Sequence, residues 1–192
     1  QTITPKIFAK YTSGTQLNAL NNNKILNYSD IFSMNRTNDL DLPETGFSVG
    51  HGIDYGFKRK KGDNSTLFST NTGIGQVLRT SRQDKMPNKS SLNNKSSDFA
   101  GFLKFDLFGD KNQLKINNSD KIYFINDFIE NRLSFNYDYN LSNDLNDLNR
   151  NSLNLSGTYK KLYSSITFEE KNQYIGDKTS LMYNAKKLFH EN

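Results

Sequence analysis

Arg79, Arg82, Lys85 and Lys89 stand close together in one polar stretch. Guanidinium and ammonium groups spaced in this way suit phosphate oxygens, which accept short charge-assisted hydrogen bonds. The same charges would equally suit a solvated loop. A second basic run, Lys58-Arg59-Lys60-Lys61, has no basic-aromatic groove beside it, so no nucleic-acid role is expected. A solvated turn, or contact with anionic lipid headgroups, fits that run better. His51 and His190 are the two histidines, and their spacing is not that of metal ligands. The carboxylates are scattered, and the D-L-N-D-L-N run within Asn143–Asn151 is unlike a calcium loop. Gly73-Ile74-Gly75 lacks the following helix that a phosphate loop requires. There is no cysteine, which excludes disulfides and thiolate metal sites within the chain. No catalytic residue, metal or cofactor is expected, and the chain does not read as an enzyme.

The elements that would position these residues are strands. In Arg132–Ser142, Leu133, Phe135, Tyr137, Tyr139 and Leu141 alternate with Ser134, Asn136, Asp138, Asn140 and Ser142. Successive side chains of a strand point to opposite faces, so this run has one apolar and one polar face. The same period recurs in Phe47–Phe57, where the polar face is Ser48, Gly50, Gly52, Asp54 and Gly56. Repeated glycine on one face implies close approach of another backbone, or a bend in the sheet. His51 falls on the apolar face of that strand, a structural position. Further strands are expected at Thr2–Lys10, Ser65–Thr80, Phe99–Phe108, Ser152–Tyr159, Leu162–Phe168 and Ser180–Phe189. The stretch Gln113–Asp127 reads as one long strand or two short pieces. The sum is an all-β antiparallel meander of about eight long strands, residues 1–192 forming one unit without a second domain.

Hydrophobic residues make up only 34% of the 192 residues, and mean hydropathy is −0.78. No run reaches the roughly 18 apolar residues of a membrane helix. A membrane barrel strand needs only every second residue apolar, so low mean hydropathy is compatible with one. The aromatic content of 12% argues against disorder. A net charge of +5 permits attraction to phosphates without demanding it. The connections run long (Tyr11–Thr45), short (Lys58–Asn64), long (Ser81–Ser97), short (Gly109–Asn112), then medium (Asn143–Asn151), minimal (Lys160-Lys161) and medium (Glu169–Thr179). Outer-membrane barrels sort loops in this way, with short turns on the periplasmic rim and long loops outside. The pattern predicts a transmembrane outer-membrane β-barrel segment. Parity places Tyr11–Thr45 and Ser81–Ser97 on one rim, with Ile31–Asp41 folding inward over the lumen. The chain opens at Gln1 and stops after K-K-L-F-H-E-N, and is expected to be a fragment or a processed chain.

Four motifs between Ser29 and Gly101 resemble the barrel region of the lipopolysaccharide-assembly (LptD/OstA) family. S-D-I-F-S-M-N-R, ending in Asn35-Arg36 and followed by Asp41, resembles its L-F…N-R…G-x-D-R loop. Thr45-Gly46 leading to Tyr55-Gly56 resembles its Gly-to-Tyr-Gly strand. Gly75-Gln76 with Arg79 resembles its G-Q-x-x-R strand, and Ser97-Asp98 with Gly101 its S-D-x-V-G start. Asp39 and Leu42 depart from the pattern, and the family's cysteines are absent. The resemblance implies a non-enzymatic translocon in the cell outer membrane that inserts lipopolysaccharide into the outer leaflet. It implies a plug lipoprotein (LptE) and a periplasmic bridge protein (LptA) as partners. On that reading Arg79, Arg82, Lys85 and Lys89 would meet lipopolysaccharide phosphates. The alternatives are a passive porin- or adhesin-type barrel and a soluble β-sandwich binding module.

Overall fold

The computed structural model describes residues 1–15, 18–19, 24–37, 44–62, 65–109, 132–159, 162–172 and 177–187. Asp41, Lys160-Lys161 and the stretch Gln113–Asp127 lie outside the described residues. The strands are β1 (Thr2–Thr12), β2 (Gly46–Lys60), β3 (Thr66–Arg79), β4 (Phe99–Phe108), β5 (Arg132–Leu141), β6 (Leu148–Tyr159), β7 (Leu162–Lys171) and β8 (Lys178–Lys187). Each pairs antiparallel with the next, giving one sheet in the order β1 to β8. No pairing joins β1 to β8 among the described residues, so the sheet is open. Among the described residues the one α-helical turn is α1 (Tyr28–Ile31).

The strands exceed their expected bounds where charge interrupts the alternation. β2 runs to Lys60, so Lys58-Arg59-Lys60 is strand, and the turn closes through the Lys61 N–H donating to Ser65 O at 2.8 Å. β6 starts at Leu148 rather than Ser152, and β7 continues to Lys171. Their charged ends satisfy one another across the ladder. Arg150 meets Glu169 at 2.9 Å, and Lys171 meets the same carboxylate at 3.0 Å. Opposite charges on one sheet face stabilise pairing, so polarity does not end the strands here.

β4 pairs directly with β5, Phe108 opposite Arg132. The whole connection 109–131 therefore leaves and returns at one end of the sheet. That is the end of turn 61–65, because two antiparallel strands separate them. The expected sorting of loop lengths has an exception there. The connections 13–45 and 80–98 share the opposite end, called the upper end below.

The register assigns every strand residue to a face. Val49, Ile53 and Tyr55 are in phase with Leu78 and Ile74 of β3, Leu103 of β4, and Tyr139, Tyr137 and Phe135 of β5. Gly50, Gly52, Asn136 and Asp138 lie on the other face, as the two-residue period predicts. The apolar face is the uncovered one: Ile3, Ile7 and Tyr11 are 67%, 78% and 73% exposed, and Ile53, Leu133 and Leu181 are exposed as well. The buried apolar cluster sits on the opposite, polar face. It comprises Ala19, Leu26, Ile31, Val77, Met86, Leu92 and Ala100, flanked by Tyr28 and Phe32. Most of these come from the two long upper connections, so those connections cover the polar face. The usual arrangement of a half-buried sheet, apolar side in and polar side out, is reversed.

Candidate functional site

The polar face of β2 and β3 is a glycine-lined seat. A Cβ on Gly50 would stand 2.3 Å from Ile31 O, and one on Gly73 would stand 2.9 Å from Tyr28 Cζ. Gly75 would place a Cβ 3.1 Å from Ile31 Cδ1. α1 thus lies directly on the sheet backbone, as the repeated glycines imply. The Asn27 N–H donates to Asp30 Oδ2 at 2.8 Å, which starts the turn. Tyr28 packs on Phe32 and Phe102 at 5.3 and 5.0 Å between ring centres. Its hydroxyl donates to Asp54, which also holds Lys6 at 2.5 Å. Burial and then Asp54 push the Tyr28 hydroxyl above its ordinary value. Asn140, fully buried on β5, donates from Nδ2 to Leu26 O at 3.1 Å, and Arg150 of β6 donates to Asn27 Oδ1. Segment 24–37 is therefore tied to β1, β2, β5 and β6 as well as seated on β3.

At the upper end, three cations converge on one carboxylate. Glu44 Oε2 accepts Arg36 Nη1 at 2.6 Å and lies 2.8 Å from Lys10 Nζ. Glu44 Oε1 accepts Arg79 Nε at 2.5 Å. All four side chains are at most 4% exposed. Arg36 also donates to Ser48 Oγ at 2.9 Å and to Ile31 O at 3.1 and 3.2 Å. Burial alone would raise the Glu44 carboxyl; Arg79, Arg36 and Lys10 outweigh it and hold it at about 2. A buried charge is tolerated when paired and hydrogen-bonded. This cluster fastens the first long connection to β1, β2 and β3.

A second tie joins the upper connections to one another. Asp98 accepts Ser91 Oγ at 2.8 Å, the Asn143 N–H at 3.1 Å and Asn149 Nδ2 at 2.8 Å. Burial pushes its carboxyl up, against those hydrogen bonds. Beside it, Gln76 Nε2 donates to Ser97 O at 2.8 Å and Asn143 Oδ1 at 2.9 Å.

The positions singled out in the sequence thus divide. Arg36, Gly75 and Arg79 serve the covering of the polar face and Asp98 ties the upper connections together, while Gln76, in register with His51 on the other face, is buried at the upper end of β3. Asn35 Oδ1 accepts the Thr37 N–H and hydroxyl at 3.2 and 2.9 Å, shaping the turn into Arg36. Gly101 lies on the apolar face, where a Cβ would stand 2.4 Å from the Tyr139 ring. The four phosphate candidates do not form one cluster. Arg79 is buried on Glu44, Arg82 and Lys85 are exposed, and Lys89 is half-buried beside two left-handed residues, Ser90 and Ser91 (φ 57° and 52°). Glu44 was missed by the reading of motifs. The signal for it is indirect: two arginines bound for the interior require a counter-charge. Among the described residues no group of acidic or histidine side chains could hold a metal ion. No family model, curated protein or solved structure matches the chain.

Proposed function

We propose that the chain is a segment of a transmembrane β-barrel of an outer membrane. One observation carries this reading: the apolar face of the sheet is bare while the upper part of the polar face is covered by the chain's own connections. A sheet in water hides its apolar face; a barrel wall in lipid shows it and keeps a polar interior. Strands of ten to fifteen residues are long enough to cross a bilayer with tilt. The open edges β1 and β8 would continue into further strands of the same wall. Closure of the barrel removes the unpaired edges.

Within that class we favour a lipopolysaccharide translocon of the LptD/OstA type over a passive porin. The support is the motif resemblance, together with the convergence of Arg36, Gly75, Gln76, Arg79 and Asp98 on one covered end. A porin requires a wet lumen, whereas here segment 24–37 fills the upper part of the polar face of β2 to β4. Lipopolysaccharide would be the cargo, with a plug lipoprotein and a periplasmic bridge protein as partners. The test is cysteine labelling of intact cells with a membrane-impermeant maleimide. A thiol at Asn88, exposed on the upper connection, should react, and one at Gly62 should not. Labelling at Gly62 with silence at Asn88 inverts the topology and removes the case for the upper end as the outer rim. High steady conductance in planar bilayers would favour the porin.

A further inference from the structure

The basic run at the lower end of β2 takes no part in the covered upper end. Lys58, Arg59 and Lys60 are exposed strand residues. Lys58 pairs with Ser69 and stands on the polar face, whereas Arg59 pairs with Phe68 and stands on the apolar face. Directly after Arg59 the ladder slips: Lys60 opposes Thr66, and Leu67 is passed over. An irregularity of this kind at a strand end bends the strand and re-aims its side chains. Beside Arg59 the apolar face is aromatic. Phe68 packs on Phe57 and on Phe105, at 5.5 and 5.8 Å between ring centres. Leu107 and Leu133 continue the row of Phe68 and are exposed. Neither that row nor the next, which runs from Phe57 through Phe105 to Phe135, contains a carboxylate among the described residues.

We infer that this lower edge of the apolar face is a binding site for an anionic phospholipid. Arg59 takes the headgroup phosphate, and the strip of Phe57, Phe68 and Phe105 takes the acyl chains. The inference deepens the proposed barrel, on which it rests, by naming the lipid at one place on the wall. A guanidinium matches phosphate oxygens with two parallel hydrogen bonds. An arginine at the end of an apolar strip lays its stem along the strip and keeps its charge at headgroup level. Lys58 and Lys60 add attraction to any headgroup of net negative charge, which separates anionic from zwitterionic lipids. An acidic protein would meet the same cations, but the phenyl rings offer its carboxylates nothing, and the strip is continuous with the bare face. Towards the upper end that face carries Glu170, which accepts Asn151 Nδ2 at 2.8 Å. A carboxylate there disfavours an anionic headgroup, so the preference belongs to the lower edge.

The test titrates the full chain in detergent micelles with phosphatidylglycerol and with phosphatidylcholine, and counts bound lipid by native mass spectrometry. Phosphatidylglycerol should bind more tightly. Arg59→Gln should weaken it about fivefold, the attraction of roughly one basic residue at an anionic surface, and leave phosphatidylcholine unchanged. Arg59→Lys keeps the charge without the two-pronged contact and should retain part of the affinity. Arg82→Gln, an exposed cation of the upper connection, should leave both lipids unchanged. Equal binding of the two lipids, unaltered phosphatidylglycerol binding in Arg59→Gln, or equal weakening by Arg82→Gln would each overturn the site. Tighter binding of a polyglutamate peptide, lost in Arg59→Gln, would assign the run to an acidic protein and overturn it as well. Detergent partition of the wild type reads the barrel separately. A chain that enters the detergent phase yet binds both lipids alike fails the site alone, and one that stays in water fails the barrel.

Discussion

Replacing Glu44 by Gln keeps the shape of the side chain and removes the one carboxylate that Lys10, Arg36 and Arg79 share. The size of the effect follows from the carboxyl itself. Its value falls from the ordinary 4.5 to about 2, and each pH unit corresponds to about 1.4 kcal/mol. The carboxylate therefore contributes about 3 kcal/mol at neutral pH. Breaking a buried ion pair from one side costs a similar 3–5 kcal/mol or so, because the remaining charges stay buried unpaired. The sign of the pH dependence is fixed. The folded value is below the unfolded one, so the contribution is complete above about 4.5 and is lost as pH falls toward about 2.

The assay is urea unfolding of the chain in micelles, wild type beside Glu44→Gln, at pH 7 and in steps down to acid. Glu44→Gln should be weaker by about 3 kcal/mol at pH 7, and the gap should close as pH falls through the carboxylate range. Arg79→Gln in the Glu44→Gln background should cost less than it does alone, since it then removes an uncompensated cation. A gap at pH 7 below about 0.5 kcal/mol, the range of an ordinary surface substitution, would refute the reasoning. So would a gap that is constant with pH.

Three further outcomes are expected. Gly50→Val should dislodge α1, costing roughly 1–3 kcal/mol by overpacking and speeding tryptic cleavage at Lys24 and Arg36. Gly62→Val, with nothing within 4 Å of its Cβ, should do neither, and equal behaviour of the two would remove the seat. Tyr137→Arg, made in the intact protein, should impair assembly of heat-modifiable barrel far more than Asn136→Arg. The cost of a cation on a lipid face is roughly 2–4 kcal/mol near the midplane; equal yields count against the assignment of faces. Asp98→Asn keeps an acceptor for Ser91 and removes a carboxyl whose folded value is raised by burial. Its stability relative to wild type should therefore grow as pH rises through the carboxylate range, and a flat difference would contradict the burial argument.

The strands and their faces were legible because the sheet period is two. A residue such as Tyr137 or Gly52 has its face decided by parity alone. Strand ends were not legible at Lys58–Lys60, Leu148–Asn151 and Glu169–Lys171. Alternation counts a charge as a break, whereas Arg150 and Glu169 neutralise each other across the ladder. The glycines of β2 and β3 announced that a backbone would approach, but not which one. The seat is made by Ile31 O, whose segment has no periodicity to find. Arg79 was read as a cation available to phosphate, since its strand position says nothing of Glu44, distant by 35 residues in sequence. Local pattern carries the sheet; the polar cover is held by contacts of the connections with sequence-distant strands and with one another, and those leave no pattern.

This division bears on what holds the chain together. With 34% hydrophobic residues in the chain, two unequal sets of apolar side chains stand out among the described residues. The small one, Leu26, Ile31, Val77, Met86 and Leu92 with two alanines, is buried under the upper connections. The larger set, from Ile3 on β1 to Tyr183 on β8, forms rows on the bare face. Burying one such side chain contributes about 1.5–3 kcal/mol, so most of the available hydrophobic stabilisation is unrealised while that face meets water. Monomers in water rarely show contiguous apolar surface of this extent. The polar face has its own fastening in the Glu44 and Asp98 ties, which do not depend on what covers the other side. A chain built in this way should keep its sheet in micelles and lose it on dilution below the micelle concentration. In that diluted state the seat of α1 should be lost with the sheet, since Gly50, Gly73 and Gly75 offer α1 a surface only while β2 and β3 are paired.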